Sequence, residues 1–180
     1  MKSELRRVGL VVAAALAVAS HASAEPRAVA FGELHGARIH PVHGYTGAGD
    51  GVVAGIRVGF FPSTSGGVAV MAGFELSCAE HFSCWKSGEL GVRYMRAITR
   101  RVALVVDGLA GLETVGLHIS RELYGYVGAA DVGLSYRLDG FQLGLRTGLT
   151  YSLVPGYVAD VGPNPSGLAA STGIAAGFQW

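Results

Sequence analysis

Three groups of residues have the types and spacings that chemistry needs. His118 and Ser120 stand two apart, so on one face of a strand they could form a base–nucleophile pair of the hydrolytic kind. His35, His40 and His43 follow an H-x4-H-x2-H spacing that could gather imidazoles on a divalent metal. That spacing matches no strong zinc pattern, and loop histidines are ordinarily just solvated. Cys78 and Cys84 are the only two cysteines. In an exported chain a disulfide between them is the simple reading, with free thiols or metal binding as the alternatives. No cofactor is implied: there is no phosphate-cradling loop, and the G-x-G triplets sit inside strand-like segments, where glycine serves packing. A formal net charge of +1 provides no field toward nucleic acid.

What positions these residues begins with an export signal. Lys2, Arg6 and Arg7 make a basic start, Val8 to Val18 is apolar without interruption, and Ala22-Ser23-Ala24 forms a cleavage site. The expected division is therefore a signal peptide, residues 1–24, and one domain, residues 25–180. Beyond the signal, Lys86 is the single lysine, and the mean hydropathy of the whole chain is +0.39. No apolar run after residue 24 approaches the ~20 residues of a spanning helix. A chain this apolar without such a helix leaves a closed barrel as its membrane option, because only helices and closed barrels satisfy every backbone group in lipid.

From Arg27 the sequence alternates between period-two segments and turn-rich stretches. The segments run 27–38, 51–61, 67–77, 89–98, 102–113, 126–138, 141–153 and 168–180. The first has no clear facing. In the second, Val52, Ala54, Ile56, Val58 and Phe60 oppose Gly55, Arg57 and Gly59. In the seventh, Phe141, Leu143, Leu145, Leu149, Tyr151 and Leu153 oppose Gln142, Gly144, Arg146, Thr150 and Ser152. Asp139-Gly140 is a strong two-residue hairpin signal. Connections are expected to alternate long and short, with 39–50 read as loop from its proline and glycine content and a longer connection around 115–125.

The final fourteen residues, G-L-A-A-S-T-G-I-A-A-G-F-Q-W, put Leu168, Ile174, Phe178 and Trp180 on one face and small or polar residues on the other. This stretch resembles the closing strand of a Gram-negative outer-membrane β-barrel, whose last residue is typically Phe or Trp. The fold expected is all-β: an eight-stranded antiparallel up-and-down transmembrane β-barrel with both termini on the short-turn side. Its apolar parity would face lipid. The other parity would fill the lumen with a charge network of Arg57, Glu75, Arg93, Asp107, Asp131, Arg137 and Arg146, with Glu33, Glu89 and Glu113 on the same face.

The resemblance implies a place in the cell outer membrane, contact with outer-membrane lipid and lipopolysaccharide, and handling by the barrel-insertion machinery. Phe178 and Trp180 would act as the assembly signal. A filled lumen argues against a porin and for a structural or surface-interaction role toward some extracellular ligand. The competing class is a lipid A-modifying hydrolase. His118-Ile119-Ser120 is similar to the H-x-S of outer-membrane lipid A deacylases, but here it precedes the last three segments. Arg121 and Glu122 follow it in place of that family's Asn, and the later Glu is missing.

Overall fold

Alternation of side chains across a strand is what this sequence encodes most strongly, and the computed structural model follows it throughout. The structure describes residues 29–44, 50–62, 67–79, 84–117, 121–155 and 166–180. The expected signal peptide and residues His81, His118 and Ser120 lie outside them. Eight strands form in chain order: β1 (Val29–His43), β2 (Gly51–Phe61), β3 (Gly67–Ala79), β4 (Cys84–Ala97), β5 (Val102–Leu117), β6 (Arg121–Leu138), β7 (Phe141–Leu153) and β8 (Gly167–Gln179). Each pairs antiparallel with its sequence neighbour, and β1 pairs with β8, so the sheet closes into a barrel without an edge.

The short connections 98–101 and 139–140 lie at the same end as Val29 and Trp180. Asp139 and Gly140 both take positive φ, 43° and 90°, the conformation a tight hairpin turn requires. Thr99 Oγ1 organises the 98–101 turn by accepting from the backbone N–H groups of Arg101 and Val102 at 3.2 and 3.0 Å. At the opposite end, the expected long connections are shorter than the proline and glycine content suggests. The strands run on: β1 reaches His43, β4 begins at Cys84, and β5 and β6 extend to 16 and 18 residues. Only 44–50 and 154–166 remain long. Pro41 is accommodated at a register shift between Pro41 and His43, where β1 meets β8.

The two faces differ as the alternation requires. Outward lie Leu34, Ile56, Phe74, Leu90, Leu112, Leu134, Leu145 and Ile174, all exposed, with Leu145 at 67%. Exposed aromatics sit toward both ends, with Tyr136, Phe178 and Trp180 at the turn end and Tyr124, Tyr126 and Tyr151 at the other. The facing of β1 is settled: Phe31, Glu33, His35 and Ala37 point inward, and Leu34 points outward.

Inside, the barrel is layered. At the turn end an apolar plug gathers Phe31, Phe61, Met71, Met95, Val105 and Leu109, with the Phe31 and Phe61 rings 5.6 Å apart. Charged side chains occupy the middle, and a small cavity lies toward the loop end.

Candidate functional site

The middle layer is built from one inward position on each of several strands. Arg93 of β4 is fully buried, and two carboxylates clamp its guanidinium. Its Nε and Nη2 donate to the two oxygens of Asp107 at 2.7 Å each, and its Nη2 and Nη1 donate to Glu33 at 2.8 and 3.2 Å. The same guanidinium lies 4.5 Å above the Phe31 ring, joining the charge layer to the apolar plug. Arg57 reaches Glu75 at 2.8 Å, Asp107 at 3.0 Å and Asp131 at 2.7 Å. Arg146 pairs with Glu33 at 3.0 Å. His35 completes the group, with its Nε2 3.0 Å from Glu75 Oε1. Three arginines, four acids and one histidine thus form a continuous net across the lumen. Burying so many charges is tolerable only because each has a partner of opposite sign.

Space for this net comes from glycines on facing strands. Arg57 stands opposite Gly73, Glu75 opposite Gly55, Asp131 opposite Gly148, and Arg146 opposite Gly133. A Cβ on Gly148 would fall 2.6 Å from the Ala130 carbonyl oxygen and into the Asp131 carboxylate. A Cβ on Gly88, whose outward position is open, would meet nothing within 4 Å. Gly148→Ala is accordingly expected to destabilise the barrel by about 1–3 kcal/mol through overpacking. Gly88→Ala should stay within about 0.5 kcal/mol of the parent. Urea unfolding in lipid vesicles measures both; equal effects would refute the packing role given to Gly148.

Six of the seven expected network residues come together: Arg57, Glu75, Arg93, Asp107, Asp131 and Arg146. Arg137 does not. It faces the lumen but at the turn end, where its guanidinium approaches Met95 Sδ and makes no ion pair with any described residue. Glu33 and His35 belong to the net, and residue types alone did not pair them with Arg93 and Glu75.

The structure does not bring the three histidines of the H-x4-H-x2-H spacing onto one face. His35 faces the lumen, whereas His40 points outward, with Nδ1 2.8 Å from Asp50 Oδ1. An interval of five residues along a strand places two side chains on opposite faces. Among the described residues no group of three His, Cys, Asp or Glu is placed to hold a metal ion. Cys78 and Cys84 face each other in the β3–β4 register and are joined by a disulfide.

Above the net, toward the loop end, lies a cavity of about 60 Å³. Glu75 forms its floor, and Glu89, Glu113, Ser87, Ser152 and Trp85 line its walls. Ser87 Oγ donates to Glu89 Oε1 at 2.8 Å, and Ser152 Oγ donates to Glu113. Trp85 lies outside the segment expected from alternation, yet it is an inward-facing residue of β4, 7% exposed.

Closure into eight antiparallel strands, an apolar outer surface and a charged, filled lumen define the fold of the small outer-membrane β-barrels. The structure resembles the crystal structure of the N-terminal β-barrel domain of Pseudomonas aeruginosa OprF, with a TM-score of 0.55 and 11% identity, covering 84% of this chain and 97% of that one. It is equally similar to the crystal structure of Neisserial surface protein A, with a TM-score of 0.55 and 13% identity, covering 84% and 95%. At such identities the likeness is one of fold. No protein-family model and no curated protein sequence matches the chain.

Proposed function

We propose that the chain is an exported outer-membrane barrel protein with a structural or surface-interaction role, and that it is not a general diffusion channel. The observation that carries this is the inversion of the two faces. Leu, Val, Ile and Tyr side chains are exposed around the girth, while arginines and carboxylates are buried inside. An aqueous surface of that composition would associate or aggregate, whereas in a bilayer it is the stable arrangement.

On this reading the turn end and both termini face the periplasm, and the loop end faces outward in contact with lipid and lipopolysaccharide. The apolar plug and the charge net fill the lumen with side chains over much of its described length, which supports a non-conducting role. Insertion relies on the barrel-assembly machinery reading β8, with Phe178 and Trp180 as its signal. Residues 1–24 act as the cleaved export signal.

Cell fractionation with a heat-modifiability gel tests the proposal. The protein is expected in the outer membrane, with a folded band that shifts on boiling. A soluble protein whose mobility ignores heating would sink the reading. In planar bilayers no steady porin-like conductance is expected; a stable open channel would overturn the non-conducting part. The hydrolase reading keeps the H-x-S spacing of His118 and Ser120 as its support. A lipid-deacylating activity in reconstituted membranes, abolished by Ser120→Ala, would move the protein to that class.

A further inference from the structure

The cavity above the charge net has a one-sided chemistry. Glu75 is already matched by Arg57 and His35. Glu89 and Glu113 are each only 4% exposed, and neither forms an ion pair with any described residue. Each accepts one serine hydroxyl, and Oε2 of Glu89 has no hydrogen-bond partner among the described residues. No lysine, arginine or histidine is among the described residues lining the cavity. Every other buried carboxylate of the lumen meets a cation, so the exception is confined to this one place.

The backbone is shaped around these two acids. Gly111 lies opposite Glu89 and Gly125 opposite Glu113 in the strand register. A Cβ on Gly111 would come 2.9 Å from Glu89 Cγ, and one on Gly125 would come 2.9 Å from Glu113 Oε1. The carboxylates are therefore seated by glycines, as the paired charges of the net are, but without a protein cation to match them. A buried carboxylate oxygen with no partner is costly unless something else supplies the positive charge.

We propose that this cavity is a binding site for the protonated amine of a small ligand, held by Glu89 and Glu113 with Trp85 forming an apolar wall. Three features favour an ammonium over a bare divalent metal. Among the described residues no trio of acidic or imidazole groups is placed to coordinate a metal. The two acids are joined by the hydroxyls of Ser87 and Ser152, and an indole lines the same space, a combination suited to an alkylammonium head. The volume, about 60 Å³, suits such a head or a few waters, since ~10–15 Å³ of such space holds one water. Binding itself needs only the folded barrel. That the ligand arrives from outside the cell rests on the orientation proposed above.

The chain has two tryptophans, Trp85 and Trp180. In a Trp180→Phe background Trp85 becomes the sole indole reporter, placed in the cavity wall. The detergent-solubilised, folded protein is titrated with putrescine and, separately, with calcium chloride, both at matched ionic strength. A saturable fluorescence change with putrescine is expected, confirmed by calorimetry. The affinity should fall at least tenfold in Glu89→Gln and in Glu113→Gln. Both variants remove a buried charge, and a heat-modifiability gel checks their folding; if one fails to fold, the other decides. No saturable response to putrescine would overturn the proposal and leave the two carboxyls as neutral buried acids. So would unchanged affinity in the folded Gln variants, or saturation by calcium alone. A protein that binds putrescine but fractionates as a soluble species would uphold the site while refuting the membrane orientation.

Discussion

Replacing Arg93 with methionine is expected to destabilise the folded barrel by about 3–5 kcal/mol, the cost of removing one partner from a buried ion pair. The side chain is wholly buried and donates four hydrogen bonds to two carboxylates. Methionine fills much the same volume, so the loss is electrostatic and not a cavity effect. Glu33 would retain only Arg146, and Asp107 only Arg57. Urea unfolding in lipid vesicles and the fraction of heat-modifiable band measure the effect. Arg137→Met provides the contrast. Arg137 makes no ion pair with any described residue, and its loss should cost no more than about 1 kcal/mol. The double variant Arg93→Met with Asp107→Asn should be less destabilised than Arg93→Met alone, by ~0.5–3 kcal/mol of coupling. It removes one charge of each sign and leaves Glu33 on Arg146. If Arg93→Met and Arg137→Met proved equally damaging, the net would not be the stabilising element described.

How much of this could be read from the sequence differs residue by residue. Strands β2 and β7 have the bounds their alternation predicts, and Asp139-Gly140 forms the turn its chemistry requires. Period two also assigns Arg57, Arg93, Asp107, Asp131 and Arg146 to the inner face. It cannot say which charges meet, because partners are set by height along the barrel and by contacts across the lumen. Arg93 reaches Glu33 from 60 positions away, and Arg146 reaches the same carboxylate from 113. Arg137 illustrates the limit: it has the right face and the wrong height. The loop-end residues of β4, β5 and β6 are hidden in the sequence for a different reason. Gly88 and Gly125 look like loop punctuation, yet both lie within strands, and Gly125 makes room for Glu113. With these glycines inside strands, Trp85 and Ser87 become inward-facing strand residues and line the acidic cavity. β1 is ambiguous because its inner face mixes Phe31 and Ala37 with Glu33 and His35, Phe31 being placed to pack under the Arg93 guanidinium. The separation of His35 from His40 was legible in principle, since five is an odd interval on a strand.

Deleting Phe178 to Trp180 should lower the yield of folded protein in the outer membrane at least tenfold, and the argument begins with the seam. The backbone N–H of Trp180 donates to the Ala30 carbonyl at 3.0 Å, and the Ala30 N–H donates to the Trp180 carbonyl at 2.9 Å. On the other side the Gln179 N–H donates to Gly140 O at 2.7 Å, and the Phe178 ring meets Phe141 edge-on at 5.3 Å. The three residues thus tie β8 to both of its neighbours at the turn end. Without them the first residues of β1 and the 139–140 turn lose these backbone partners, and the seam is left open at its turn end. The Trp180 ring also packs over Gly32: a Cβ there would stand 3.3 Å from its Cη2. Two mechanisms predict the loss, and they separate by experiment. If the residues serve mainly as a signal to the insertion machinery, the truncated chain refolds normally into detergent micelles but fails in cells. If closure of the seam dominates, refolding into micelles fails as well. Phe178→Ala alone keeps the backbone bonds, so under the seam mechanism it should fold in both settings, and under the signal mechanism it should fail only in cells. Normal outer-membrane yield of the truncation would exclude both mechanisms and with them the role assigned to this end of β8.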